Sequence, residues 1–410
     1  MKKFALFLSV LGVMGMLSSC SDDDSPAVPG SSLETKTYTA ADGLQLTLDG
    51  EAVVGQTVEF IPFEDGNASI AIKGEPLDLS ALIGDATGAP AGIKLPTSSL
   101  IPGSPELTLP LVLEGTADKA TFAGNGDTEY CTFKYVGAVD KDAFTLNITD
   151  LKLKNVSMAG TYASSESTAA IYDVYRVNWV SDKKVNVGIF GEMPVNTVVS
   201  LAFAFTQVSV GGENMNLMDA LTTVLKDVTF GEDGSIIARY ADTDDNLAVK
   251  TSPKGYARYV VKDDNTLLVF IDPATIIANV AAAASKGSRA IDIESLMQGL
   301  MTNVVPLLKN GVPVHFGPRL ITDGTTDNNM IPDPEGKGTG FYLGTETVLP
   351  LLKMAAPILS DPEIIQQIVA EASKDPNMGM MAMMLPGILE SLPAVIDGTT
   401  VVELGINLYK

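Results

Sequence analysis

The chain has 410 residues, 46% of them apolar and 19% charged, with a formal net charge of −23. That length is enough for two or three hydrophobic cores, and so acidic a surface argues against nucleic acid and anionic lipid head groups as direct partners. A single histidine and two cysteines leave too few ligands for a histidine-clustered zinc site and too few partners for a thiolate–histidine pair.

In chain order, Lys2 and Lys3 form a basic start. Phe4 to Met16 are an apolar run too short to span a bilayer as a mature helix, so 1–19 reads as a signal peptide. Leu17-Ser18-Ser19-Cys20 matches the lipobox of bacterial lipoproteins, in which small residues ahead of a cysteine admit the signal peptidase. Cleavage there would leave Cys20 as an acylated N-terminus. At about 0.8 kcal/mol per buried methylene, several acyl chains make such an anchor effectively permanent. Removing Lys2 and Lys3 takes the net charge from −23 to −25. With Cys20 consumed by lipid, Cys131 has no intrachain disulfide partner, and its strand-like surroundings read as a buried structural thiol. Ser21-Asp22-Asp23-Asp24 resembles the acidic export signal of Bacteroidetes lipoproteins that reach the cell surface; the alternative is a solvated tether at the periplasmic face of the outer membrane. Residues 20–32 then form a lipidated acidic linker closed by Pro, Gly and Ser.

Residues 33–158 read as all-β. Asp49-Gly50 and Glu64-Asp65-Gly66-Asn67 mark hairpin turns between alternating segments, and further short strands are expected over Leu107–Leu113, Glu129–Val136, Ala143–Ile148 and Leu151–Val156. Such spacing predicts a barrel or a sandwich. The segments Leu46-Thr47-Leu48-Asp49-Gly50, Gly55-Gln56-Thr57-Val58-Glu59-Phe60, Ala68-Ser69-Ile70-Ala71-Ile72-Lys73-Gly74 and Phe144-Thr145-Leu146-Asn147-Ile148-Thr149 resemble the calycin-like β-domains of Bacteroides lipoproteins, and the whole chain is similar to an uncharacterised two-part lipoprotein family of gut Bacteroidetes. The resemblance implies a lipocalin-like barrel and no assigned activity.

Residues 159–410 read as an α+β domain, an antiparallel sheet covered by helices. Strands are expected over Ile171–Val180, Lys184–Phe190, Leu201–Val210, Val312–Phe316 and Val402–Leu408, and hairpins over Val228–Tyr240 and Tyr256–Ile271. Helices are expected over Asn214–Lys226, Ile293–Leu308, Glu346–Leu359 and Asn377–Leu392, with Ser360 and Glu363 as a capping box between the last two. Asp323–Gly340 reads as a polar loop with little to bury.

The chain shows no nucleophile elbow, Walker loop or dinucleotide fingerprint, so a non-enzyme is expected. His315 reads as a structural strand residue. No cofactor is implied; calcium stays open at Asp242–Asn246 and Asp323–Asp333, although neither fits EF-hand spacing. The methionine-dense segment holding Met380, Met381 and Met384 is either buried core or the adaptable lining of an apolar pocket. The expected function is therefore a surface-anchored, non-catalytic binding module for an apolar or amphipathic ligand. The alternatives are a scaffold among envelope proteins and, third, a carboxylate-dependent glycan-acting enzyme.

Overall fold

Alternating burial drives the first half. In the computed structural model, which describes residues 27–78, 94–95, 100–243, 245–271, 305–323, 330–359, 361–374 and 379–410, the strands begin with β1 (Lys36–Tyr38), β2 (Leu44–Leu48), β3 (Glu51–Val53), β4 (Gln56–Pro62) and β5 (Asn67–Gly74). They continue through the short pair β6 (Leu77–Asp78) and β7 (Lys94–Leu95) to β8 (Glu106–Val112), β9 (Glu114–Gly115), β10 (Lys119–Asp127), β11 (Cys131–Asp140) and β12 (Phe144–Leu153). β1, β4, β5 and β8 make a four-stranded sheet, and β3, β2, β12, β11, β10 and β9 a six-stranded one. Every second side chain of β5, β8 and β11 is buried, so the two sheets enclose Val58, Phe60, Ile70 and Leu109 together with Phe122, Phe144 and Ile148.

The Asp49-Gly50 turn forms as expected, both residues at positive φ (50° and 86°). Two departures have local causes. The expected strands over Ala143–Ile148 and Leu151–Val156 are one strand, β12, which absorbs Asp150 at φ 55° beside an irregularity in its pairing with β11. β10 is a full strand although it contains Gly124 and Gly126. In its register with β11 these two glycines face Tyr135 and Phe133, while Phe122 faces Gly137, so three aromatic rings lie across three glycines. A Cβ on Gly126 would come within 2.1 Å of the Phe133 ring. The rings supply the packing that the glycines lack.

The second half continues with β13 (Gly160–Ala163), α1 (Ile171–Val174), β14 (Tyr175–Ser181), β15 (Val185–Asn186), β16 (Glu192–Met193), α2 (Val195–Phe205), β17 (Gln207–Val210), β18 (Glu213–Asn216) and α3 (Leu217–Val224). Next come β19 (Leu225–Phe230), β20 (Ser235–Asp242), β21 (Ala248–Thr251), β22 (Ala257–Asp263), β23 (Thr266–Ile271), α4 (Val305–Asn310), β24 (Val312–Pro318), β25 (Leu320–Thr322), β26 (Met330–Pro332) and β27 (Thr339–Leu343). The chain closes with α5 (Thr345–Leu359), α6 (Pro362–Ala372), α7 (Gly379–Asp397) and β28 (Thr399–Leu408).

A ten-stranded sheet runs β13-β19-β20-β22-β23-β24-β27-β28-β14, with β21 beside β20. It is antiparallel and curls into a half-barrel: Ala163, at the end of its first strand, exchanges two hydrogen bonds of 2.7 and 2.9 Å with Tyr409, just past β28. Aromatic rings fill the curl. Tyr162 lies edge-on to Phe230 and Phe341, and Phe230 stacks on Phe341 at 5.3 Å. These residues belong to the same apolar cluster as the core of the first half, so the change of sheet near residue 158 is not a break in packing.

Several expectations on the second half are corrected. Ile171–Val174 is helical, with only Tyr175–Ser181 in a strand. Lys184–Phe190 holds the two-residue β15 and a 3-10 turn. Of Leu201–Val210 the second part, Gln207–Val210, is the expected strand (β17), but Leu201–Phe205 ends α2; burial of Val195 and Val198 against β14 outweighs the strand propensity of that helix's β-branched and aromatic residues. Asn214–Lys226 is helical only in α3, which Asn216 caps by accepting from the Asp219 amide. Before α6 the cap is Asp361, accepting from the amides of Glu363 and Ile364, with Pro362 opening the helix; Ser360 lies outside the described residues. The polar loop over Asp323–Gly340 contains β26 and a buried Asp333. The expected helix over Ile293–Leu308 falls within the described residues only as α4.

Candidate functional site

Where the two halves meet, the turn after β10 and the ends of β11, β12 and β22 leave a cleft of about 200 Å³ lined by Glu129, Tyr130, Leu153, Lys154, Asn155 and Val261. Backbone hydrogen bonds set its shape. The Lys154 amide donates to the Tyr130 carbonyl at 2.8 Å, and the Leu153 amide reaches across to the Glu232 carbonyl at 2.9 Å. Tyr130 lies against Gly103, which is at φ 79°; a Cβ there would meet the ring at 2.4 Å, so this position needs glycine. Leu153 and Val261 give an apolar floor, the Tyr130 ring a wall, and Glu129, Lys154 and Asn155 a polar rim. The Lys154 ammonium is taken up by Asp127 and by the Thr128 carbonyl. Burial raises the pKa of the Tyr130 phenol; its hydrogen bond to the Glu129 carboxylate and the charges of Glu129 and Asp263 raise it further.

Cys131, the next residue, is fully buried, and burial pushes its thiol up to about 11, so it stays protonated and unreactive at neutral pH. Close by, Lys254 bonds Asp233 at 2.6 Å and approaches Asp49 of the β2–β3 turn at 3.9 Å, tying the halves together. Burial lowers the pKa of the neighbouring Arg258, against the pull of Asp233 and Asp49.

A second polar array crosses the outer face of the half-barrel. Cross-strand register places Thr266, His315, Tyr342 and Gly405 side by side, and Gly405 opposite Arg176. His315 is hydrogen-bonded through Nδ1 to Thr266 Oγ1 (3.2 Å) and donates from Nε2 to Glu346 Oε1 (2.6 Å). Arg176 stacks on the Tyr342 ring at 3.8 Å and donates through Nε and Nη2 to Glu403. These bonds tie α5, through Glu346, and β14, through Arg176, to the neighbouring strands. Thr266 is only 4% exposed.

The residues singled out in the sequence are placed as follows. Cys20, Ser21, Asp22, Asp23 and Asp24 lie outside the described residues. Met380 and Met381 fall in the first turn of α7. Met384 is 3% exposed and packs with Trp179, Val348 and Val402 in the core between α5, α7 and the sheet. Of the carboxylates considered for calcium, Asp242 and Asp245 are both held by Lys250, and Asp333 by Arg319, while Asp244 lies outside the described residues. The cleft residues went unnoticed because three separate segments supply them, and no spacing in the sequence links Tyr130 to Val261.

Compared with family models, with curated proteins and with solved structures, the chain matches none.

Proposed function

We propose that this protein is an outer-membrane lipoprotein, anchored through acylated Cys20 and displayed at the cell surface by Ser21–Asp24, that works as a non-catalytic binding protein for a small amphipathic ligand held in the cleft between its halves. The observation that carries the binding reading is the cleft itself: apolar and aromatic side chains under a polar rim, where two β units meet, in a space that suits a small ligand. The anchoring reading rests on Leu17–Asp24. Within this proposal the first half is a calycin-like domain, 33–158, and the second a separate domain, 159–410, as in the two-part surface lipoproteins of gut Bacteroidetes that the sequence resembles. Native mass spectrometry of protein extracted from membranes tests the binding: a small molecule that co-purifies and is lost from Tyr130→Ala supports it. Release of the same molecule from parent and variant alike contradicts it.

A second reading, a scaffold among envelope proteins, is favoured by one feature. Ile189 (86% exposed) and Phe190 lie exposed in the 3-10 turn between β15 and β16, whose Gly188 stands close to the α7 backbone at Met383, itself 65% exposed. Crosslinking in intact cells from a photoreactive residue at 189 would trap a reproducible partner on this reading; loss of the anchored protein's partners on Ile189→Asp would follow.

A further inference from the structure

The charges around the cleft are not balanced. Its one ammonium, on Lys154, is neutralised by Asp127 and by the Thr128 carbonyl. Glu129 is exposed on the rim, Asp263 lies close enough to act on the Tyr130 phenol, and neither carboxylate has a basic side chain within ion-pair distance among the described residues. The Tyr130 phenol donates a hydrogen bond to Glu129 and feels the charge of Asp263. An electron-rich ring face beside carboxylates, over an apolar floor, attracts an organic cation twice, by its quadrupole and by charge. We infer that the cleft selects amphipathic cations, molecules with an ammonium or similar head on an apolar body: the body lies on Leu153 and Val261 while the head meets Tyr130 and Glu129. The inference rests on the reading of the cleft as a ligand site, and it names the class of ligand. The charge of the whole chain, −23 as translated, works in the same direction by raising the local concentration of cations.

Three probes of similar size test it on the detergent-solubilised acylated protein by calorimetry at low salt: 2-phenylethylammonium, neutral 2-phenylethanol and anionic 3-phenylpropionate. Two variants carry the interpretation. Glu129→Gln removes an exposed charge without touching the core, and Asn155→Trp fills the exposed rim. The expected result is that the ammonium binds best, weakens about threefold in Glu129→Gln, the scale of one exposed charge interaction, and weakens again with added salt. All binding should disappear in Asn155→Trp. If the three probes bind alike, or the anion binds best, and Asn155→Trp abolishes it, the ligand site stands and the preference for cations is overturned. If no probe binds, or binding ignores Asn155→Trp, the cleft is not a ligand site and both readings fall.

Discussion

Arg176 shows how single side chains hold the second half together. Its guanidinium is 6% exposed, and Glu403 accepts two of its hydrogen bonds while the Pro318 carbonyl accepts a third at 2.8 Å. Removing one partner of a buried pair leaves the other charge uncompensated, so Glu403→Gln should lower stability by about 3 kcal/mol. Urea denaturation checks this; an unchanged midpoint would mean that Arg176 finds other partners. Glu346 gives the fold a dependence on pH. Partial burial is the largest single influence and works against its ionised form, but the hydrogen bond from His315, a backbone amide and the charge of His315 together outweigh it, and the pKa lies below the ordinary carboxylate value. A depressed carboxylate stabilises the fold fully above its unfolded pKa, about 4.3, and that contribution is lost as the pH falls through the lower folded value. Acid titration should therefore show Glu346→Gln with a shallower loss of stability below pH 4.3 than the parent. His315 was legible in the sequence as a strand residue, since Val312, Val314 and Phe316 surround it. Its bond to Glu346 was not, because the partner lies 31 residues away on a helix.

At the scale of elements, alternation was the most readable signal. β5, β8 and the hairpin β22–β23 follow from period-2 apolar patterns and turn residues. Reading failed where tertiary packing decided between helix and strand, as in α2, and where glycine hid a strand, as in β10. The paired glycines and aromatics yield a test. Gly126→Ala should cost roughly 1–3 kcal/mol by overpacking against Phe133, and Phe133→Leu in the same chain should recover part of that loss. Equal, additive losses in thermal denaturation would show that the contact is not coupled. Asp361→Ala, which removes the cap of α6, should cost about 1 kcal/mol and leave the β-sheets intact by far-ultraviolet circular dichroism.

Across the whole molecule, one apolar cluster joins the core of the first half to the interior of the curled sheet. The sequence announced two β-rich regions through its change of pattern near Gly160, but the shared core depends on contacts between distant segments, such as Leu153 with the turn at Gly234, that no local pattern encodes. The same limit hid the cleft. The proposed tether is the reverse case, resting on a few adjacent residues in Leu17–Asp24. On the anchoring proposal, Cys20→Ala should abolish fatty-acid labelling and release a folded protein from the membrane, while replacing Asp22, Asp23 and Asp24 with Ala should keep the label and leave the protein protected from external protease. Digestion of that triple variant in intact cells would favour a solvated tether over an export signal. The central claim is that the protein binds a small ligand between its halves, and the most direct test is native mass spectrometry of the full-length protein purified from its own cells, beside its Asn155→Trp variant. A bound small molecule in the parent that is missing from the variant is the predicted result. Identical spectra, with the mass of the chain and any covalent modification alone in both, would contradict the claim.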